Sequence, residues 1–172
     1  MASWTVQRLT PAHDRSDFDC GQTMLSNWLR KQAGQFDRRD LSRTYVAIRP
    51  GETVVCGYYA ISTHRVLYED LPETESKGLP RLDVPAMLLG RLAVDDSVQG
   101  QGLGAFLLVD ALRRAMHIAE QVGIRTVEVD AVDENARQFY LHFGFRSLND
   151  DPRHLFLPIH EIRKLKLDPL EK

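Results

Sequence analysis

Arg91-Leu92-Ala93-Val94-Asp95-Asp96-Ser97-Val98-Gln99-Gly100-Gln101-Gly102-Leu103-Gly104 reads as an apolar strand running into a glycine-rich turn. A long amphipathic helix leaves that turn. Leu103, Leu107, Ala111, Ala115 and Ile118 recur on one face, with Arg113 and Arg114 opposite, until Gly123 ends the run. Such a junction presents several backbone N–H groups at a helix N-terminus, where the macrodipole also favours negative charge. It predicts a cradle for a pyrophosphate. A P-loop is excluded because Gly104 is followed by Ala105 and Phe106, where that loop needs Lys and a hydroxyl. A Rossmann fingerprint is excluded by the glycine spacing and by the motif's place past the middle of the chain.

Working outward, residues 4–9 alternate as a first strand, and Met24, Leu25, Trp28 and Leu29 predict a helix over about 21–33. The polar residues 35–42 are expected to break it. Two β-rich runs, 44–49 and 54–62, flank Pro50-Gly51-Glu52 as a hairpin. Residues 71–83 carry Pro72, Gly78 and Pro80 and read as an exposed loop, while 87–94 is apolar enough for a central strand. Beyond the long helix come a strand at 126–131 and a short helix at 135–143 stopped by Gly144. A closing strand is expected at 155–162, extended by 163–167.

The 172 residues suffice for one domain with a real core, expected to cover 1–172 without internal repeats. With 43% hydrophobic and 27% charged residues, the chain is globular in composition, and no apolar run reaches membrane-spanning length. The N-terminus lacks the layout of a signal peptide. Cys20 and Cys56 match no zinc or redox spacing and are expected as reduced, buried thiols, which points to the cytoplasm. The six histidines show no metal-ligand spacing and read as scattered surface or half-buried residues, so no metal is expected. The net charge of -2 conceals a basic stretch: Arg30, Lys31, Arg38, Arg39, Arg43 and Arg49 face only Asp37 and Asp40. Such a stretch is either a solvated helix face or a patch for a polyanion.

Leu92-Ala93-Val94 followed by Gln99-x-x-Gly102-x-Gly104 resembles the acetyl-CoA-binding motif of the GNAT N-acetyltransferases. The order of elements matches the same plan over nearly the whole chain. The resemblance implies an α/β (α+β) fold, a mixed central sheet with a splayed strand pair flanked by helices. It also implies that Leu92, Ala93 and Val94 offer backbone groups to the pantetheine arm and the thioester carbonyl. The N–H groups of Gln99, Gly100, Gln101, Gly102, Leu103 and Gly104 would hold the pyrophosphate. A Cβ at Gly102 or Gly104 would crowd the phosphates or strain the backbone.

A second run, Asn135-Ala136-Arg137-Gln138-Phe139-Tyr140 with Gly144-Phe145, resembles the other GNAT signature. It implies that Tyr140 is the general acid for the departing CoA thiolate. A phenol with reference pKa near 10 is protonated at neutral pH and able to donate; the other reading is a core aromatic with a satisfied hydroxyl. Asn135 is assigned to the cofactor mouth. No general base stands out among Asp130, Asp133, Glu134 and His142, which suits an α-amine better than a lysine, whose pKa is higher.

A narrower resemblance runs through Phe18-x-Cys20, Leu25-x-x-Trp28-Leu29, Arg43-Thr44-Tyr45-Val46, 57–62, Pro85-x-x-Leu88-Leu89-Gly90-Arg91, Val129-Asp130-Ala131 and Leu155-Phe156-Leu157-Pro158. Together these are similar to the acetyltransferase toxins of type II toxin–antitoxin modules. That implies acetylation of aminoacyl-tRNA, inhibition of translation, a homodimer, and a ribbon-helix-helix antitoxin through which alone DNA is contacted. On this reading Arg30, Lys31, Arg38, Arg39 and Arg43 contact tRNA phosphates and Arg91 lies nearer the acceptor end; Arg91 in an ion pair is the other possibility. The rival functions are a GNAT enzyme acting on a small amine or protein lysine, and a weakly catalytic CoA-binding or transcription-complex module.

Overall fold

The computed structural model describes residues 3–170. Its elements run β1 (Thr5–Arg8), α1 (Thr23–Lys31), α2 (Ala33–Arg38), β2 (Arg43–Ile48), β3 (Gly57–Val66), α3 (Glu73–Ser76), β4 (Val84–Val94), α4 (Leu103–Gln121), β5 (Thr126–Asp130), α5 (Glu134–His142), β6 (Arg146–Ser147), β7 (His154–Pro158) and α6 (Ile159–Lys164). The strands follow the order β1-β2-β3-β4-β5-β7-β6 in a mixed sheet, with β4 and β5 parallel and the β1–β2, β2–β3, β5–β7 and β6–β7 pairs antiparallel. The chain divides into two compact units. One takes the chain up to Ser62 together with Gly90–Ala111; the other takes Thr63–Leu89 and the chain from Leu112 onward.

In the first unit the predicted hairpin is present. Gly51 turns it with a φ of 79°, a value that glycine adopts without steric cost. Tyr45 lies opposite Tyr59, and the two rings stack at 5.2 Å. One core forms around Phe18, Trp28, Leu29, Val46, Tyr58 and Ala93, with Trp28 stacked 5.9 Å from Tyr58. Met24, expected on the apolar face of α1, is 75% exposed instead. The helix begins at Thr23, so Met24 falls in its first turn, while Trp28 and Leu29 carry the burial. The break expected after α1 is a second helix. α2 has no apolar period; Ala33 is buried, Phe36 lies edge-on to Trp28 at 5.5 Å, and the Asp37 carboxylate accepts from Arg8 at 2.6 Å and from Thr44 N at 3.3 Å.

The second unit has its own core of Val66, Leu71, Val84, Ala86, Leu148 and Phe156. The stretch read as an exposed loop holds α3 and buries Leu71 and Glu75. Glu75 receives a 2.5 Å bond from Arg146, which offsets the cost of burying its charge. The closing strand stops at Pro158, which then begins α6 by burying Ile159 and Ile162 at helical spacing. Leucine-rich continuity hid that change of period. No helix among the described residues is long and apolar enough to cross a membrane.

Candidate active site

In the first unit the glycine turn is built by its own side chains. Asp95 caps a short 3₁₀ turn: its carboxylate accepts from Ser97 N at 3.0 Å, Ser97 Oγ at 2.5 Å and Asp19 N at 2.9 Å. Burial pushes the Asp95 carboxyl up, but these bonds outweigh it and hold the group below its ordinary value. Sequence reasoning passed over Asp95, although Asp two residues before Ser is a capping signal. Gln99 contributes more than its N–H. Its amide donates to Val94 O at 3.3 Å, Cys20 O at 3.3 Å and Asp96 Oδ1 at 2.9 Å, folding the turn back onto the end of β4.

Gly100 and Gly102 take φ of 77° and 84°, and nothing lies within 4 Å of a Cβ built on either. Gln101 between them is exposed, Leu103 is buried at the start of α4, and Gly104 lies within the helix. Phe106 N bonds Gly102 O at 3.1 Å, so the ladder of α4 starts there and the N–H groups before it lie outside that ladder. These features fit the pyrophosphate of a CoA thioester: open space, free donors and the positive end of a 19-residue helix. Leu92, Ala93 and Val94 lie on β4 beyond Leu89, the last residue paired with β5. Their position suits backbone bonds to an extended arm.

Arg91 precedes them on β4. Its guanidinium lies 4.2 Å from the centre of the Trp28 ring, and burial lowers its pKa while Tyr58 opposes this. It is stacked there, and no salt bridge joins it to a carboxylate among the described residues. The basic stretch divides into two groups. Arg30 is tied to Phe18 O and to Asn27 Oδ1 at 2.6 Å, and Arg43 to Asp37 O at 2.8 Å and Asp40 Oδ1 at 2.6 Å. Lys31, Arg38 and Arg39 are exposed. Arg38 has a companion missed in the sequence. Arg15 and Arg38 bracket Gly34, each with a guanidinium nitrogen 3.2 Å from a Cβ built there, and the pKa of Arg15 is lowered by burial and then by Arg38. Arg15 stood outside the basic run, so charge counting had no signal for it.

In the second unit α5 starts at Asp133, whose carboxylate accepts from Ala136 N at 2.8 Å. Asn135 is exposed in the first turn. Tyr140 is buried between Phe139 at 5.2 Å and Phe145 at 5.4 Å, and burial alone raises its phenol well above the ordinary value. It stays protonated at any physiological pH. Nor are the histidines merely scattered. His64 and His154 both bond Glu128, a fully buried carboxylate on β5. Their sequence separations gave no hint of it.

The model of the acetyltransferase (GNAT) domain matches residues 40–147. The chain is 38% identical over 159 residues to a tRNA-acetylating toxin of Mycobacterium tuberculosis (strain ATCC 25618 / H37Rv), covering 92% of this chain and 94% of that one. It is also similar to AtaT complexed with acetyl-methionyl-tRNAfMet, with a TM-score of 0.89, 32% identity, and 95% and 99% of the two chains covered. A tyrosine-to-phenylalanine variant of AtaT bound to the C-terminus of the antitoxin AtaR and acetyl-CoA gives a TM-score of 0.82 at 30% identity, covering 96% and 99%. Turn, fold and sequence agree: the chain belongs to the GNAT acetyltransferase family.

Proposed function

We propose that this chain transfers the acetyl group of acetyl-CoA to the α-amino group of aminoacyl-tRNA and so stops translation as a toxin. The likeness to AtaT over nearly its whole length, in a complex with acetylated tRNA, carries this reading. Residues 1–172 act as one acetyltransferase domain. The N–H groups from Gln99 to Gly104 hold the pyrophosphate, and the backbone of Leu92, Ala93 and Val94 takes the pantetheine amides. An N–H of Ala93 or Val94 stabilises negative charge developing on the thioester carbonyl, a contribution of about 3–4 kcal/mol for one preorganised donor. Asn135 lines the cofactor mouth.

Tyr140 is the general acid. A phenol kept neutral by burial gives its proton to the thiolate as the C–S bond breaks. Lys31, Arg38 and Arg39 supply most of the phosphate contact, with Arg30 and Arg43 adding charge from fixed positions. Stacked on Trp28, Arg91 is presented as a rigid cation to the acceptor end. The protein works in the cytoplasm as a homodimer, and a ribbon-helix-helix antitoxin neutralises it and carries it to DNA.

The test is transfer of label from acetyl-CoA to charged tRNA, with uncharged tRNA and polyamines as parallel acceptors. Label on charged tRNA alone is expected. Label only on polyamines would remove the tRNA reading and leave the family assignment standing.

A further inference from the structure

Glu128 is 0% exposed although it lies in the middle of β5. A buried carboxylate needs hydrogen-bonding partners, and each of its oxygens has one. His64 Nδ1 lies 2.5 Å from Oε1, and His154 Nε2 bonds Oε2. His154 Nδ1 in turn lies 2.8 Å from Asp150 Oδ2. The four side chains form a line that starts at the His64 ring, 51% exposed, and ends at Asp150. Among the described residues no group of three or more His, Cys, Asp or Glu is placed to hold a metal ion.

The protonation states follow from the partners. The bond to Glu128 raises the pKa of His154, burial opposes this, and the bond to Asp150 adds to it, bringing it to about 9. His154 is therefore an imidazolium at neutral pH, donating from both nitrogens. His64 has one carboxylate partner, on Nδ1, so its proton belongs there and its Nε2 lone pair is left on the exposed side. A carboxylate on one nitrogen fixing the tautomer so that the other can accept a proton is the usual way an imidazole becomes a general base. The other charged groups around the cluster are Asp130, in register with His154, Asp70, whose carboxyl is raised by burial and by Asp150, and the Arg65–Asp83 pair at 3.0 Å, next in sequence to His64. Glu128, Asp150 and Asp130 outnumber His154. The surplus negative charge attracts an ammonium group.

The place in the sheet fits the same use. Leu88 pairs with Glu128 and Leu89 with Val129, and there the β4–β5 pairing ends, while β4 continues five residues to Val94. Glu128 thus lies one residue before the end of the β4–β5 pairing.

We infer that His64 is the proton acceptor for the amine and that Glu128 is its positioning residue, fixed by His154 and Asp150. The inference rests on the α-amine reading above. The ammonium gives one proton to His64 Nε2, and the neutral nitrogen attacks the thioester carbonyl. The C–S bond breaks, Tyr140 protonates the leaving sulfur, and the second nitrogen proton returns to the Tyr140 oxygen. The His64 imidazolium then releases its proton to water. The products are an amide, free CoA thiol and one proton.

The test compares wild type, His64→Gln and Glu128→Gln in kcat/KM from pH 6 to 10, with charged tRNA, glycine methyl ester and β-alanine methyl ester as acceptors. At pH 6.5 the loss in His64→Gln is expected to be larger for β-alanine methyl ester, whose ammonium is less acidic because its ester is one carbon farther away. The difference is about tenfold for each unit separating the two amines. The variant is expected to converge on wild type at high pH, and Glu128→Gln to show the same pattern more weakly. An equal loss at every pH and for both esters, or no loss, overturns the inference. If the esters accept label and charged tRNA does not, the tRNA reading fails while the esters still decide the role of His64. Nitrogen NMR of the wild-type histidines needs neither acceptor nor variant. Neutral His64 is expected with its proton on Nδ1; the opposite tautomer, or a ring still protonated at pH 9, overturns the assignment.

Discussion

Gly57 meets Leu107 so closely that a Cβ on the glycine would stand 2.9 Å from Leu107 Cδ1, with the Ala93 carbonyl oxygen at 3.1 Å. The N-terminal turns of α4 rest against β3 through this contact, and the position of the glycine turn follows from it. Gly57→Ala is expected to lose about 1–3 kcal/mol of stability, the usual cost of overpacking. Urea denaturation would measure it. A loss no larger than that of Ala at the open Gly123 would mean that Leu107 gives way freely.

Gly102 offers the opposite case, since no protein atom lies within 4 Å of its would-be Cβ. Gly102→Val should cost only the strain of its positive φ, about 1–2 kcal/mol. Acetyl-CoA affinity should fall about 10- to 100-fold, the worth of a lost charge-assisted bond. Calorimetry on the folded variant settles it; unchanged affinity would move the pyrophosphate elsewhere.

Tyr140→Phe keeps the ring that packs on Phe139 and Phe145 and removes only the phenolic hydroxyl. The acetylation rate should drop by about 10²–10⁴, with acetyl-CoA binding unaltered. A wild-type rate would assign the acid role to another group.

His154 makes a pH signature for stability. Its folded pKa of about 9 lies above the ordinary imidazole value, so its contribution is complete below about pH 6.5 and is lost as pH rises through 9. Unfolding free energy should decline across that window with a slope of about one proton at most. In His154→Gln that alkaline slope should vanish. Its survival would show that another group titrates there.

Lys31, Arg38 and Arg39 are exposed, whereas Arg43 is engaged by Asp37 and Asp40. Replacing Arg38 and Arg39 together by Ser should reduce the salt slope of tRNA binding by about 1.4–1.8, from two phosphate contacts. Acetyl-CoA affinity should not change. An unaltered slope would place the tRNA on another face.

The difference between what was legible and what was not lies in sequence distance. Gln99, Gly102 and Gly104 are neighbours, and their residue types alone call for a tight turn, so both the turn and the helix behind it could be read directly. Phe139, Tyr140 and Phe145 were similarly compact. Met24, by contrast, matched the apolar period of α1 and is exposed, because the starting point of a helix is not contained in its period. α2 and α6 were missed for the reverse reason: each is too short to show a period and is held by one or two buried residues.

Local residue chemistry thus determined the glycine turn, the alternation of strands and helices, and the tyrosine on α5, since backbone conformation is governed by residues a few positions apart. Only the tertiary structure decided that Arg91 stacks on Trp28, that Arg15 joins Arg38, and that Glu128 lies buried between His64 and His154. Those meetings depend on strand register and helix packing between segments 23 to 64 residues apart at the least separations that matter. Burial then fixes what each charged group must bond, and no spacing within a single segment carries that information.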